Sequence, residues 1–324
     1  MLFKPHNLIF KKLYLPKRTL FLLLLIIISF FEVNGQEPST QRPVTRHSSL
    51  TTHYSPGATL TILSWNILML PRWVFFRLGQ IKRAPAIVDQ LKESSYDLIV
   101  FQEAFDKKAK RILWNGLKEN FPYQYGPGKR GLIKITSGVW IISKLPLNNG
   151  QIIRFNDCKV QDCLARKGAL FVEFFKNDQK FQLIGTHLQA QVGDEFQAVR
   201  KKQYKDISEK LIKPLAKKNV PLFVIGDLNT AKSDTANYNE MLRVFNVHDG
   251  SLEGSVLVSW GGAGNDIIYE KGDYNAMLID YILFQPNGIR PKEFKREVKI
   301  FQQRWSKQNK DLSDHYAVEA VIVW

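Results

Sequence analysis

The stretch LTILSWN, Leu60–Asn66, is a short apolar run that ends in polar residues, and the same pattern recurs along the chain. Runs of this length, rich in β-branched and aromatic residues, predict buried strands. The other polar motifs beside such runs are QE at Gln102–Glu103, TH at Thr186–His187, GDLN at Gly226–Asn229, DY at Asp280–Tyr281 and SDH at Ser313–His315. We expect these acids, amides and imidazoles to meet on one rim of a layered sheet, where a divalent metal and a hydrolytic water can be held.

The order of strand and helix patterns predicts an α/β fold with two packed mixed sheets and helices outside them. Strands are predicted at about 59–66, 97–103, 137–143, 167–175, 180–187, 221–227, 277–284 and 315–323. Helices are predicted at about 80–93, 107–119, 195–218 and 237–245. A composition of 44% hydrophobic and 12% aromatic residues supports a large core and excludes disordered and fibrous proteins.

Residues 1–35 have the pattern of a secretory signal peptide rather than of folded structure. Five Lys and Arg residues precede the apolar stretch Leu20–Phe31, which gives way to EVNGQ. That stretch is short for a membrane span, although an uncleaved N-terminal anchor stays open as the alternative. Residues 36–58 are rich in Ser, Thr, Pro and Arg and are predicted to be a flexible lead-in to one domain at 59–324. We therefore expect a secreted protein, either extracellular or periplasmic.

The chain carries a formal net charge of +16, of which about +12 remains without the predicted leader. So strong a positive charge favours an anionic partner such as nucleic acid, an anionic membrane surface or a phosphate ester. Solubility alone is the open alternative, because net charge by itself does not identify a partner.

The only cysteines are Cys158 and Cys163. In the oxidising compartment that follows export, the two residues are predicted to form a disulfide. With four residues between the cysteines, the bond would mainly stiffen a local turn. Two cysteines without a nearby histidine do not make a zinc site.

Glu103 and Asn66 each stand at the end of a predicted strand. A carboxylate at the end of a buried strand is costly unless it is paired or bound to a metal. Together the carboxylate and amide oxygens predict a hard-cation site, typical of Mg²⁺. Two alternatives stay open, which are a strand-end turn at Asn66 and an acid near a helix N-terminus at Glu103.

His187 and His315 stand next to strand-like runs and polar residues, unlike the other four histidines. Two such histidines near carboxylate motifs predict a general base and a group that stabilises the transition state. Asp280 is predicted to orient His315 and fix its tautomer, with a salt bridge to Lys or Arg as the alternative. Asp227 and Asn229 can both face a phosphate and its attacking water, although such turns without chemistry are common.

Taken in this order, the motifs resemble the endonuclease/exonuclease/phosphatase superfamily over about residues 59–324. The stretches NILMLPRW and LGQIKRAPAI, DCLARKGAL at Asp162–Leu170 and THLQAQ at Thr186–Gln191 resemble, more narrowly, secreted bacterial-type neutral sphingomyelinases. The resemblance implies a DNase I-like fold, which is a four-layered α/β sandwich. It also implies Mg²⁺-dependent hydrolysis of sphingomyelin to ceramide and phosphocholine. The two cysteines resemble a disulfide of that family.

The resemblance implies a role for each residue of the predicted site. Glu103 would be the principal Mg²⁺ ligand, helped by Asn66 and Asp314, with Mn²⁺ or Co²⁺ as substitutes. His315 would be the general base on water, oriented by Asp280. The groups that would hold the phosphoryl oxygens are His187, Asp227 and Asn229, with Lys167 positioning the substrate phosphate.

The resemblance also implies the partners. The substrate would be a phospholipid in a membrane, which a monomeric enzyme binds peripherally, and no nucleic acid is expected. Two alternatives stay open. One is a secreted deoxyribonuclease on the same fold, which the basic charge fits, and the other is a catalytically silent membrane-binding module.

A membrane contact is predicted at Trp73–Phe76, which Arg72 and Arg77 flank. Aromatic residues beside cations suit a membrane interface, and a loop packed into the core is the alternative. Relatives often carry an apolar aromatic hairpin late in the chain, whereas the corresponding stretch here, Leu252–Tyr274, has several glycines and little aromatic character.

Overall fold

The computed structural model describes residues 59–127, 136–165, 167–262, 264–268 and 276–324. The predicted leader at 1–35 and the predicted lead-in at 36–58 lie outside the described residues. Residues 263 and 269–274 of the hairpin-equivalent stretch lie outside them as well.

Thirteen strands in the described residues form two mixed sheets. In chain order they are β1 (Thr59–Met69), β2 (Leu98–Ala104), β3 (Tyr123–Tyr125), β4 (Trp140–Ser143), β5 (Asn148–Arg154), β6 (Gly168–Lys176), β7 (Gln179–His187), β8 (Leu222–Asp227), β9 (His248–Asp249), β10 (Ser251–Glu253), β11 (Asp280–Gln285), β12 (Glu293–Lys299) and β13 (Ala317–Val323). Sheet 1 has the order β10-β12-β13-β1-β2-β4-β3, and sheet 2 has the order β5-β6-β7-β8-β11-β9. The parallel pairs β1–β2 and β7–β8 each bring two carboxyl ends together, and these are the ends that carry polar motifs.

The described residues contain four main α-helices, namely α1 (Gln80–Leu91), α2 (Lys107–Leu117), α3 (Asp194–Ile207) and α4 (Thr235–Phe245). The predicted helix at 195–218 is confirmed in place, but it passes through a π-helical turn at Ser208–Ile212 before a last turn at Lys213–Leu215. None of the helices in the described part of the chain has the length and apolar character needed to cross a bilayer.

Successive side chains of β1 point to opposite faces of the strand and pack into two different cores. Leu60 and Ile62 pack into a core shared with sheet 2, whereas Leu63 and Trp65 pack into a second core beneath α1 and α2. The first core also takes apolar side chains from α3 and α4. Side chains of a strand alternate between its two faces, so one strand can serve both cores. The predicted four-layered α/β sandwich is therefore confirmed.

Five observed strands have no counterpart in the sequence prediction, namely β3, β5, β9, β10 and β12. The β12 sequence EFKREVK is mostly charged, and the β5 sequence NNGQIIR is mostly exposed. Neither has the apolar run that predicts a strand. Both form because a neighbour, β13 or β6, offers a long antiparallel ladder of backbone partners.

Glu173 on β6 is a buried carboxylate, and its pKa predicts a pH-dependent contribution to stability. Burial raises the pKa, but hydrogen bonds from Lys217, Asn149 and Gln182 outweigh burial and lower it to about 2, from an ordinary value of 4.5. The carboxylate therefore stabilises the fold above pH 4.5, and this stabilisation is lost as the pH falls towards 2.

We expect Glu173→Gln to lower the free energy of unfolding at pH 7 by about 2–3 kcal/mol. Urea unfolding of both proteins at several pH values measures this difference, which should shrink between pH 4.5 and pH 2. Exposed Glu209, changed to Gln, is the control and should show little difference at any pH. A difference that stays constant with pH would contradict the role given to the ionised carboxylate.

Candidate active site

The polar motifs meet where strands of the two sheets end. The parallel register of β7 and β8 places His187 beside Asp227, and the antiparallel register of β8 and β11 places Asp280 opposite Asp227. Asn66 follows Ile62 by four residues on β1 and thus faces sheet 2, where its Nδ2 donates to Asp227 Oδ2 at 3.1 Å. Four of the predicted site residues are therefore brought together by strand register and alternation alone.

The GDLN turn gives Asp227 and Asn229 their positions. Gly226 has φ +148°, and a Cβ there would lie 1.9 Å from the carbonyl oxygen of Thr186, so no larger residue fits between β8 and β7. Asn229 adopts a left-handed φ of +48°. Its backbone N–H donates to Asp227 Oδ1 at 3.0 Å, and its Nδ2 donates to the Leu188 carbonyl at 3.2 Å.

Asp227 is the buried centre of the cluster. Its Oδ2 lies 3.3 Å from His187 Nε2 and 3.8 Å from His315 Nε2. Burial and the neighbouring charge of Asp280 raise the pKa of Asp227 to about 7, against the positive charge of His315 and Lys167. The Asp227 carboxylate thus lies next to both histidines of the predicted site.

Glu103 ends β2 in a strained backbone conformation. Ile99 and Phe101 pack beneath α1 and α2, and strict alternation would put Glu103 on that same side. Its φ of +58° breaks the alternation and is costly for a residue other than Gly or Asn. Its Oε2 is buried without a hydrogen-bond partner. Burial raises the pKa of Glu103 to about 7, and the charge of Asp314 adds to the rise.

The ring of His315 is held by Asp280. His315 Nδ1 lies 2.8 Å from Asp280 Oδ2, and Trp65 Nε1 donates to the His315 carbonyl at 3.1 Å. Burial lowers the pKa of His315, but the charges of Asp280, Asp314 and Asp227 outweigh burial and raise the pKa well above its ordinary value. The ring is fixed through Nδ1, which leaves Nε2 directed into the cluster.

His187 is held differently, against a cation. Lys167 Nζ lies 3.0 Å from His187 Nε2 and donates to the Leu188 carbonyl at 2.9 Å. Burial lowers the pKa of His187 well below its ordinary value, and the charges of Lys167 and His315 lower it further. The ring is therefore neutral, and its buried Nδ1 has no hydrogen-bond partner.

Asp162 belongs to the same network, although the sequence prediction did not include it. Its Oδ2 accepts from Lys167 Nζ at 2.9 Å and from the backbone N–H of Ala190 at 2.7 Å. Cys158 and Cys163 form the predicted disulfide, which closes the loop around Asp162. The signal was available, since Asp162 opens the quoted stretch DCLARKGAL five residues before Lys167.

Two neighbouring donor sets are candidates to hold a cation. Asp227, Asp280 and His315 offer ligand atoms within 4.8 Å of one another. These groups already bond to each other or to Asn66, as described above.

Glu103 has a buried oxygen without a partner, as Asp280 has at Oδ1, and the charge of a nearby acid, Asp314, raises the pKa of Glu103. Asn66 is close by, and its Oδ1 accepts only from the Leu68 N–H at 3.2 Å among the hydrogen bonds of the described residues. The donor set around Glu103 is therefore the better fit for a hard divalent cation, which prefers carboxylate and amide oxygens.

Arg83 on α1 supports the site from below, and the sequence prediction did not assign it a role. Its buried guanidinium donates to the carbonyls of Ile67 at 2.8 Å, Leu312 at 2.7 Å and Leu68. Its Nε donates to the Leu78 carbonyl at 2.8 Å. One side chain therefore joins the segment after Asn66 to the segment before Asp314.

We expect Arg83→Met to lower the free energy of unfolding by about 3–5 kcal/mol, because several buried carbonyls lose a charged donor. Urea unfolding measures this change, and turnover should fall in the protein that still folds. Exposed Arg111 on α2, changed to Met, is the matched control and should cost little. An Arg83→Met protein within about 1 kcal/mol of the wild type would contradict the structural role.

Several known proteins are similar to this chain over most of its length. The model of the Endonuclease/Exonuclease/phosphatase family matches residues 63–315. The chain is 30% identical to Sphingomyelinase C 2 of Leptospira interrogans over 295 residues, which cover 83% of this chain and 47% of that protein. It therefore spans about half the length of that relative. It is 28% identical to Sphingomyelinase C of Listeria ivanovii over 293 residues, which cover 81% of this chain and 86% of that protein.

A solved structure provides a third comparison. A mutant beta toxin from Staphylococcus aureus with bound magnesium ions is similar to this chain, with a TM-score of 0.74 and 26% identity. The match covers 81% of this chain and 99% of the toxin chain. The fold is therefore similar over nearly the whole toxin chain.

Proposed function

Because the chain belongs to the endonuclease/exonuclease/phosphatase family, we propose that it is a secreted, Mg²⁺-dependent phosphodiesterase that hydrolyses sphingomyelin to ceramide and phosphocholine. The observation that carries the proposal is the unpartnered carboxylate of Glu103 beside the Asp280–His315 pair. This combination suits a phosphoester hydrolase that uses a metal and a positioned base. The sphingomyelinase C relatives support the choice of substrate.

In this proposal the cation is held by Glu103, with Asp314 and Asn66 completing the site. When bound, Mg²⁺ would polarise a phosphoryl oxygen and stabilise the departing alkoxide. The two carboxylates would also gain the positive partner that burial denies them. The +58° φ of Glu103 fits such a role, since strained backbone is found where a site requires one geometry.

The proposed acceptor of the proton from water is His315. Above the raised pKa of His315 the ring is neutral, and Asp280 accepts the Nδ1 hydrogen and so fixes the tautomer. Nε2 is then left to take a proton from the attacking water, and the same raised pKa favours the imidazolium that forms. The water oxygen forms a bond to phosphorus as the bond from phosphorus to the ceramide oxygen breaks. The released alkoxide takes a proton from solvent water and leaves as the ceramide hydroxyl, and His315 returns its proton to solvent.

The phosphoryl oxygens are held by the other half of the site. Neutral His187 lies beside Asp227 and has a free Nδ1. The Lys167 ammonium lies 3.0 Å from the other ring nitrogen of His187. Asn229 lies next to them on the GDLN turn. Donors fixed in a water-poor site stabilise the charge that develops on these oxygens.

A parallel substrate assay tests the proposal. Purified protein is offered sphingomyelin, phosphatidylcholine, an inositol phospholipid and plasmid DNA, each with Mg²⁺ and with a chelator. We expect hydrolysis of sphingomyelin that the chelator abolishes. The strong positive charge of the chain is the one observation that favours a deoxyribonuclease. Cleavage of DNA with no release of phosphocholine would therefore replace the proposal with that alternative.

We also propose that the enzyme reaches its lipid through Trp73, Phe75 and Phe76. These side chains are 67%, 41% and 72% exposed, so the loop is not packed into the core. Arg72 Nε donates to Asp106 Oδ2 at 2.8 Å, and Asp106 caps the start of α2 just after Glu103. The aromatic loop is thus anchored close to the proposed metal ligand.

We expect the Trp73→Ser, Phe75→Ser double variant to lose most of its vesicle binding and vesicle activity. Burial of such side chains at an interface contributes about 1.5–3 kcal/mol for each large side chain that is fully buried. Activity on a soluble phosphocholine ester should remain, because the metal site is untouched. Phe175→Ser, at the opposite end of β6 from Lys167, is the control for an exposed aromatic residue. Equal losses on vesicles and on the soluble ester would contradict the membrane role.

A further inference from the structure

A second group of exposed apolar side chains lies on the other flank of the site. Val160 and Leu164 belong to the disulfide-closed loop and are 58% and 63% exposed. Val192, on the segment that follows β7, is 64% exposed. We refer to these three residues as the disulfide-loop patch.

The two segments that carry the patch are bonded to each other. The Lys159 N–H donates to Gln189 Oε1 at 2.8 Å, and Gln191 Nε2 donates to Gln161 Oε1 at 3.3 Å. Gln161 and Gln191 are the chain neighbours of Val160 and Val192. The glutamine pair therefore brings the two valines to the same place on the surface and holds them there before any partner arrives.

Val160 is also held in an unfavourable conformation. Its φ of +46° lies in the left-handed region, which is a genuine outlier for a β-branched residue. Its side chain is more exposed than buried, so packing within the protein does not offset the cost. Strained residues of this kind cluster at functional sites, so the outlier marks Val160 as a candidate for a functional role.

The disulfide-loop patch is linked to the chemistry through Asp162. Asp162 lies between Val160 and Leu164 and accepts from Lys167, the cation beside His187. The aromatic loop at Trp73–Phe76 is linked to the end of β2 in sheet 1, whereas this loop is linked to β6 and β7 in sheet 2. The two apolar surfaces are therefore bonded to different parts of the site, one next to Glu103 and the other next to Lys167.

Two lysines near the patch are paired with acids. Lys159 pairs with Glu195 at 2.8 Å, and Lys202 pairs with Asp157 at 2.7 Å. A surface with paired charges gains little from an anionic membrane. Apolar contact, which does not need anionic lipid, then favours a zwitterionic surface as the partner.

We propose that Val160, Leu164 and Val192 form a second membrane contact that seats the sheet 2 side of the active site on a zwitterionic phospholipid surface. This inference rests on the proposed function, because a bilayer-embedded substrate gives the contact its purpose. With two contacts, the orientation of the protein on the bilayer is fixed and the phosphate site faces the lipid headgroups. The aromatic loop alone would not fix this orientation.

The test is binding to sucrose-loaded phosphatidylcholine vesicles, with and without phosphatidylserine, in the presence of Mg²⁺. We expect a Val160→Ser, Leu164→Ser, Val192→Ser variant to bind phosphatidylcholine vesicles about 10- to 100-fold more weakly than the wild type. Its turnover of a soluble phosphocholine ester should stay within about twofold, since the reacting groups are unchanged. Phe175→Ser serves as the control and should bind as the wild type does.

Val160→Gly separates a contact role from a structural role. Glycine tolerates the left-handed φ, so we expect the melting temperature to be equal or higher while vesicle binding weakens about threefold. A lower melting temperature with unchanged binding would overturn the proposal.

Unchanged binding of the triple variant, or an equal loss in Phe175→Ser, would also overturn it. So would wild-type protein that binds vesicles only when phosphatidylserine is present. In each of these cases hydrolysis of the soluble ester by the wild type would show that the proposed chemistry still stands. Absence of that hydrolysis would count against the proposed function itself.

Discussion

Replacement of Glu103 with alanine is expected to lower turnover by at least about 10³-fold, because a bound metal supplies several kcal/mol of transition-state stabilisation. The same change should leave the fold intact, since Glu103 Oε2 makes no hydrogen bond that the structure would lose. Without Mg²⁺ the variant should be as stable as the wild type or more so, because a buried and unpaired carboxylate is removed.

Two measurements check this prediction. The first is turnover of sphingomyelin as a function of Mg²⁺ concentration. The second is the melting temperature with Mg²⁺ and with chelator, since an ion that binds only the folded state raises its stability. The Mg²⁺-dependent rise should disappear in Glu103→Ala and persist in Glu93→Ala, an exposed control. Near-normal turnover of Glu103→Ala at low Mg²⁺ would mean that the ligand assignment is wrong.

For His315→Ala we expect turnover to fall by about two to four decades, the usual contribution of general acid–base catalysis. Asp280→Asn should cost less, because Asp280 acts by holding Nδ1 at 2.8 Å and does not touch the substrate. If Asp280 works only through the ring, the double variant should be no slower than His315→Ala alone.

Single-turnover kinetics of the three variants measure this coupling, with exposed His248→Ala as the control. Added imidazole should restore part of the activity of His315→Ala, because it can occupy the space of the lost ring. Additive losses in the double variant would show that Asp280 acts independently of His315. Failure of His315→Ala to slow the reaction would remove the general base from the mechanism.

The central strands could be predicted from sequence because their apolar runs are buried on both faces. Thus β1, β2, β7 and β8 stand close to their predicted positions. The outer strands β5 and β12 could not, since the signal for them lies in the neighbour that pairs with them. Local pattern describes what a segment buries, whereas an exposed strand exists through backbone bonds to a partner distant in sequence.

The candidate site, too, could be predicted from the sequence only in part. Polar residues at strand ends predicted the members of the cluster, because strand register carries side chains to one rim. The left-handed φ of Glu103 could not be predicted, since residues that favour that region are Gly and Asn. The role of Arg83 was hidden as well, because its partners are backbone carbonyls, which leave no mark on the sequence.

The position of β13 makes sheet 1 depend on strands that are far apart in sequence. This last strand lies between β1 and β12 in sheet 1, so the earliest and the latest strands described are direct neighbours. A growing chain therefore presents β1 with one edge open until residues 317–323 have been made, and contacts this distant in sequence form slowly. His315 arrives with the same final segment, two residues before Ala317. A chain that lacks residues 315–323 has neither the β1–β13 ladder nor His315, so one segment completes both sheet 1 and the candidate site.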